Sequence, residues 1–251
     1  SDGGARCRSG GNSPLGRAEV AGYLAAFPMS ALPEVSGTTA TIEVTPFSLD
    51  EEAVLPLALA RSWLSETELA RAASFRFEIH RDRFVRGRGM MRALLARRLD
   101  ADPASLEFSL GDKGKPSLVG DPTGFNLSHS EGTAVMAIGG GGAIGVDVEG
   151  YDRRVDHAGL ARRCFRDSEI AWMESFAPAE RHLAFFRIWT AKEARMKASG
   201  EGFHLSPQRI ELAFAEGYPV RCFEPAEPAA LLRSKQRTGY RSEEHTSELQ
   251  S

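Results

Sequence analysis

The sequence predicts an α+β chain of two similar lobes, and three observations carry that expectation. Runs with a period of two alternate with runs of helical period, so strands and helices are mixed along the chain. A strand, helices and then short strands appear once before a glycine-rich junction at Gly139 to Gly145, and a comparable order follows it. The 251 residues, 42% of them hydrophobic, are enough to bury a substantial core.

The elements follow in order. Thr41 to Phe47 alternates β-branched and polar residues as a strand, and Leu55 to Trp63 reads as a helix. Ser65 followed by Glu68 is a capping-box pattern opening a short helix. His80 to Leu99 predicts a long helix with Phe84, Met91, Leu94 and Leu95 on its apolar face and arginines on a solvated one. Strands are expected at Leu106 to Leu110, Gly124 to Leu127, Thr133 to Ile138 and Ile144 to Val148. The second half offers helices at His157 to Cys164, Asp167 to Ser175 and Pro178 to Ser199, then strands at Arg209 to Phe214 and Pro219 to Phe223. The expected organisation is therefore a first lobe over 41–142 and a second over 143–240.

Both ends look foreign to this pattern. Residues 1–40 read as a disordered or non-native extension, with translation expected to start at Met29. Residues 241–251, RSEEHTSELQS, resemble the in-frame translation of a sequencing adaptor, which would leave the second lobe short of a last strand after Tyr240.

A net charge of −3 and a pI near 6.1 give no general attraction to nucleic acid or membranes. No run approaches the roughly 18 apolar residues that span a bilayer. Cys7, Cys164 and Cys222 fit neither a disulfide framework nor a zinc site, so the expected setting is the cytoplasm. Of 31 basic residues only 5 are lysine, and Lys113, Lys115, Lys192 and Lys197 fall in the segments that carry chemistry.

Asp147 and Glu149 are two apart on an expected strand, so both carboxylates point to one side. Such a pair suits magnesium, and in isolation also suits a solvated strand face. Trp189, Lys192, Glu193, Met196 and Lys197 share one side of a helix that ends at Gly200. Glu193 with Lys197 could be a surface ion pair, or a third carboxylate for the same metal with an ammonium one turn away to meet a phosphate. Ser128 and His129 in Asn126-Leu127-Ser128-His129-Ser130, with the Gly114-Lys115-Pro116 turn, could line a phosphorylated nucleotide. Arg83, Arg86 and Arg88 are a further plausible phosphate contact. Gly140-x-Gly142-x-x-Gly145 has the spacing of a dinucleotide fingerprint but no helix after it, and reads as a turn. Ser128, His129 and Asp147 do not form a hydrolase triad, because adjacent strand residues point to opposite faces.

The ordered segments GKP, FNLSHS, IGVDVE and FFRIWTAKEARMKASGEG, over Thr41 to Tyr240, resemble the two-lobed, surfactin-synthetase-activating type of 4′-phosphopantetheinyl transferase. The resemblance implies a pseudo-dimeric α+β fold with coenzyme A in the cleft between lobes, and transfer of its phosphopantetheine to a serine of an acyl or peptidyl carrier protein with release of 3′,5′-ADP. It implies Asp147, Glu149 and Glu193 as magnesium-binding carboxylates, Lys197 at the pyrophosphate, and Ser128 with His129 at the nucleotide phosphates. It further implies Arg83 as the base that grips the 3′-phosphate, Arg71 as another basic contact upstream, and Lys115 with Pro116 near adenine. Where the family often has a second base three residues before Arg71, this chain has Glu68. Glu193 or Glu149 is the implied base for the carrier serine. The enzyme is expected as a monomer serving fatty acid, polyketide or nonribosomal peptide synthesis, with carrier contacts near Cys164 to Met173. A non-catalytic coenzyme A binder and a phosphodiesterase are the rival readings.

Overall fold

The computed structural model describes residues 30–31, 42–150, 155–215 and 218–223. The expectations about both termini, including the missing last strand, lie outside them, except that Ser30–Ala31, expected within the extension, forms a short strand. By contact density the described residues divide into two units: the first holds 51–105, and the second holds 30–31 and 42–50 with the described residues from 106 onward.

The described part of the first unit is helical. It runs through α1 (Leu57–Trp63), α2 (Glu66–Ala73), α3 (Glu78–Leu99) and a 3-10 turn at Pro103–Ser105. The capping box is present: the Ser65 hydroxyl accepts from the Glu68 amide, and the Glu68 carboxylate accepts from the Ser65 amide. Trp63, Val85, Met90, Met91, Leu94 and Leu95 make its core. The expected solvated arginine face of α3 is corrected. Arg86 is buried, its guanidinium donating to the Leu55 carbonyl at 2.9 Å and to Glu52 at 2.7 Å. Arg92 is buried as well, paired with Glu68 at 2.8 Å and donating to the Pro103 carbonyl at 2.9 Å. Both side chains satisfy burial by hydrogen-bonding inside the unit, which sets Arg86 aside as a phosphate contact.

The second unit carries the sheets. Strands β1 (Ser30–Ala31), β2 (Ile42–Ser48), β5 (Gly124–Ser130) and β6 (Thr133–Gly139) form a sheet in the order β1-β2-β6-β5 with antiparallel neighbours. The register places Phe47 against Ala134 and Ser128 against Val135. A two-stranded ribbon of β3 (Phe108–Leu110) and β4 (Pro116–Leu118) precedes β5. Helices α4 (His157–Cys164), α5 (Asp167–Glu174) and α6 (Arg181–Ser199) follow, and β7 (Glu211–Ala215) pairs with β8 (Tyr218–Phe223). Phe165, Met173, Phe185, Ile188, Met196, Ile210 and Leu212 build the core around α6. Among the described residues no helix is long and apolar enough to cross a membrane.

Two strand expectations change. β5 extends through Ser130, so Ser128 and His129 lie within the strand, and Ile144 to Val148 belongs to no strand. The alternate residues Asn126, Ser128 and Ser130 share one face of β5 and hydrogen-bond residues 146–150. That segment therefore lies against the face of the sheet, where its backbone cannot join the ladder.

Candidate active site

Helix α6 has two useful faces because its residues recur at intervals of three and four. Phe185, Ile188, Lys192 and Met196 are buried in the core, while Trp189, Glu193 and Lys197 are half-buried on the adjoining flank. The expected single face of Trp189, Lys192, Glu193, Met196 and Lys197 is thus split. The helix ends where Gly200 adopts the left-handed conformation, with φ 74°.

Segment 144–150 crosses close to that helix because residue 145 has no side chain. A Cβ on Gly145 would collide with the Ala194 carbonyl oxygen and the Ala198 nitrogen. Close crossing brings Asp147 to Lys197. The Lys197 Nζ donates to Asp147 Oδ1 at 2.7 Å and to Ser128 Oγ at 2.7 Å, and Ser128 Oγ donates to Asp147 Oδ1 at 2.9 Å. The Asp147 side chain is 5% exposed and the Lys197 side chain 27%. Lys197 therefore pairs with Asp147, which sets aside the reading of Glu193 and Lys197 as a surface ion pair.

Two carboxylate oxygens are left over. Asp147 Oδ2 and Glu193 Oε1 are buried and have no hydrogen-bond partner. Burial first, and then the neighbouring Asp147 charge, push the Glu193 carboxyl up to about 7 against an opposing pull from Lys197, with Glu149 adding the smallest push. Glu149 accepts from Ser130 Oγ at 3.3 Å on one oxygen and from the Trp189 indole N–H at 3.3 Å on the other. As the side chains stand, no three His, Cys, Asp or Glu among the described residues converge closely enough to hold a metal ion.

The Gly114-Lys115-Pro116 turn reaches the same end of α6. Lys115 Nζ donates to the Ile144 and Ala198 carbonyls, each at 2.8 Å, and burial lowers its pKa. Lys115, Pro116, Phe125, Ile144 and Gly200 are among the residues lining a cleft of about 620 Å³. A shallower cleft of about 340 Å³ opens beside Asp147, Arg187 and Thr190. His129 is exposed, on the face of β5 opposite Ser128. Arg71 and Arg83 belong to the 51–105 unit, where the Arg71 guanidinium lies 5.1 Å from the Phe75 ring centroid.

A family model described as the 4′-phosphopantetheinyl transferase superfamily matches residues 143–245, which takes in the acidic segment and all of α6. The 4′-phosphopantetheinyl transferase HetI of Nostoc sp. is 38% identical over 173 residues, covering 67% of this chain and 68% of that protein. The chain belongs to the 4′-phosphopantetheinyl transferase family. The family's reaction is transfer of phosphopantetheine from coenzyme A to a carrier-protein serine. A putative 4′-phosphopantetheinyl transferase of Synechocystis is 37% identical over 142 residues, 55% of this transferase and 58% of that one. The 4′-phosphopantetheinyl transferase gsp of Aneurinibacillus migulanus is 31% identical over 123 residues, or 49% and 50% of the two chains.

Sequence reasoning singled out Asp147, Glu149, Glu193, Ser128 and Lys197, and it missed the contacts that hold them. Asn126 and Ser130 contact the acidic segment, and Trp189 touches Glu149. The signal was present in β5, where Asn126, Ser128 and Ser130 form a polar face at a period of two. Carrier contacts near Cys164 to Met173 face a different difficulty: Phe165 and Met173 are buried in the unit's own core, and Trp172 is stacked on Phe214 at 4.2 Å.

Proposed function

We propose that this chain transfers the 4′-phosphopantetheine of coenzyme A to a carrier-protein serine with magnesium as cofactor. Asp147, Glu149 and Glu193 are the metal-binding carboxylates in this reading, and Lys197 with Ser128 meets the pyrophosphate. The observation that carries it is the Lys197–Ser128–Asp147 contact beside two buried carboxylate oxygens that have no partner.

The donor set fits magnesium. The ion takes one or two carboxylates and completes its shell with water and substrate phosphate, and the partnerless oxygens of Asp147 and Glu193 are hard donors available to it. When bound, magnesium supplies positive charge against the pyrophosphate oxygens. Lys197 adds a second cation, held in direction by Ser128 and Asp147, so that charge building on the departing 3′,5′-ADP meets a fixed ammonium. The serine oxygen forms its bond to the β-phosphorus as the bond to the 3′,5′-ADP oxygen breaks, and the serine proton must go to a base. Glu193 is the better placed carboxylate, because one of its oxygens has no partner, while Glu149 already accepts from Ser130 and Trp189.

Pro116 and the Lys115 stem line the larger cleft, which supports the adenine site there; the Lys115 ammonium itself is engaged with two carbonyls. Roles for Arg71, Arg83 and His129 at the phosphates rest on the resemblance in sequence. Incubation with coenzyme A, magnesium and an unmodified carrier tests the whole reading by mass spectrometry. A fixed mass added to the carrier is the expected result. Consumption of coenzyme A with an unchanged carrier would instead mark a phosphodiesterase, and no change in either a binding protein.

A further inference from the structure

We infer that Asn126 and Ser130 are positioning residues, which hold the acidic segment on the face of β5 so that Asp147 and Glu149 are presented together. The inference rests on the magnesium reading above. In a regular strand two residues at i and i+2 point the same way because the backbone ladder enforces it. Residues 144–150 have no such ladder, since they belong to no strand. Their hydrogen bonds to β5 come from side chains. Asn126 Oδ1 accepts from the Val146 amide at 2.9 Å, Ser128 Oγ donates to Asp147 at 2.9 Å, and Ser130 Oγ donates to Glu149 at 3.3 Å while accepting from the Gly150 amide at 3.2 Å.

The order of these contacts is regular. Stepping along β5 from Asn126 to Ser128 to Ser130 meets Val146, then Asp147, then Glu149 with Gly150, so the two chains climb together. Asn126 and Ser130 each bind a backbone amide, at the two ends of the pair of acids, and thereby fix the segment's register. Ser128 differs from them, because it also touches Lys197 and so belongs to the reacting group. Asn126 is 9% exposed, so its carbonyl oxygen satisfies an amide that would otherwise be unpaired near the core. Val146, Asp147 and Gly150 are thus held by β5 side chains as a ligand is held by its outer partners.

The test compares the wild type with Ser130→Ala, Asn126→Ala and Ser130→Thr in the full chain. Three quantities are read: Mn²⁺ binding followed by its EPR signal with coenzyme A present, the Mg²⁺ half-saturation of carrier modification, and thermal unfolding. Removing either side chain should weaken Mn²⁺ binding and raise the Mg²⁺ half-saturation by about tenfold. Saturating Mg²⁺ should restore kcat, and Ser130→Thr, which keeps the hydroxyl, should behave as the wild type. Should Asn126→Ala fail to fold, the half-buried Ser130 pair decides the matter alone. Wild-type Mn²⁺ affinity in Ser130→Ala overturns the inference, as does a loss of kcat that saturating Mg²⁺ does not repair. A wild type that binds no Mn²⁺ beyond coenzyme A alone overturns the magnesium reading itself and takes this inference with it.

Discussion

Lys192 and Lys197 stand on the same helix, each against a carboxylate, and the two pairs differ in what is left over. Lys192 contacts Glu169 at 2.8 Å with both side chains at 1% exposure or less. Its ammonium also donates to the Pro207 and Ile210 carbonyls, while Glu169 accepts from the Arg166 and Leu212 amides. Both Glu169 oxygens and the ammonium are occupied, and four segments of the second unit are tied together. The Lys197–Asp147 pair is partly exposed, and beside it Asp147 Oδ2 and Glu193 Oε1 have no partner. Saturated charge builds the fold, whereas unsaturated buried charge is kept for a ligand. The Arg86 and Arg92 networks of the first unit follow the saturated pattern.

The largest effect that could break this contrast is on stability. Lys192→Ala leaves the Glu169 charge in the core without its counter-ion, and should lower unfolding free energy by about 3 to 5 kcal/mol in urea titrations. A variant that unfolds like the wild type would show the pair to be dispensable. Lys197→Ala should invert the pattern. Carrier modification should fall about 10²- to 10³-fold for loss of a preorganised cation at the leaving group. Its stability should change less than that of Lys192→Ala, because the Lys197 side chain is a quarter exposed and Asp147 keeps its bond from Ser128. A large stability loss with kcat intact would place Lys197 among the structural lysines.

Much of this contrast was legible in the chain, and the remainder was hidden for a definite reason. The spacing of Trp189, Glu193 and Lys197 on a helix ending at Gly200 depends on local geometry, as does the capping box at Ser65 and Glu68, so both could be read directly. Asp147 and Glu149 were recognised from residue type and spacing, although the strand expected around them is absent. Burial of a charge, in contrast, is decided by partners remote in sequence. Glu52 lies 34 positions from Arg86, and Glu68 lies 24 from Arg92. Hence Arg86, Arg92 and Lys192 read as surface or site residues and proved to be internal ties. The strand expectation at Ile144 to Val148 failed similarly, since an apolar alternation does not say whether a segment meets the edge of a sheet or its face.

A smaller effect tests the unsaturated side through pH. The Glu193 carboxyl titrates near 4.5 when unperturbed and is pushed up to about 7 in the fold. Between these values the folded chain holds a proton that the unfolded chain has released, so stability falls as pH rises from about 4.5 to 7 and stays low above it. The full span is on the order of 3 kcal/mol at most. Glu193→Gln should remove that fall, making the variant more stable than the wild type at pH 8 and equal to it near pH 4, even as carrier modification is lost. Added Mg²⁺ favours the ionised form and should flatten the wild-type profile. Identical pH profiles of melting temperature in the two proteins would contradict the strain assigned to Glu193.

The smallest expected effect concerns Trp189, which belongs to both sides of the contrast. Its ring is stacked on buried Phe185 at 5.8 Å and 15°, while its indole N–H reaches Glu149 at 3.3 Å. Trp189→Phe keeps an aromatic ring against Phe185 and deletes the donor. One neutral donor to a carboxylate is worth about 1 kcal/mol, which corresponds to about a fivefold rise in the Mg²⁺ half-saturation of carrier modification. The melting temperature should move little if the ring fills the same space. A drop in melting temperature without any change in Mg²⁺ requirement would assign Trp189 to the core and leave Glu149 held by Ser130.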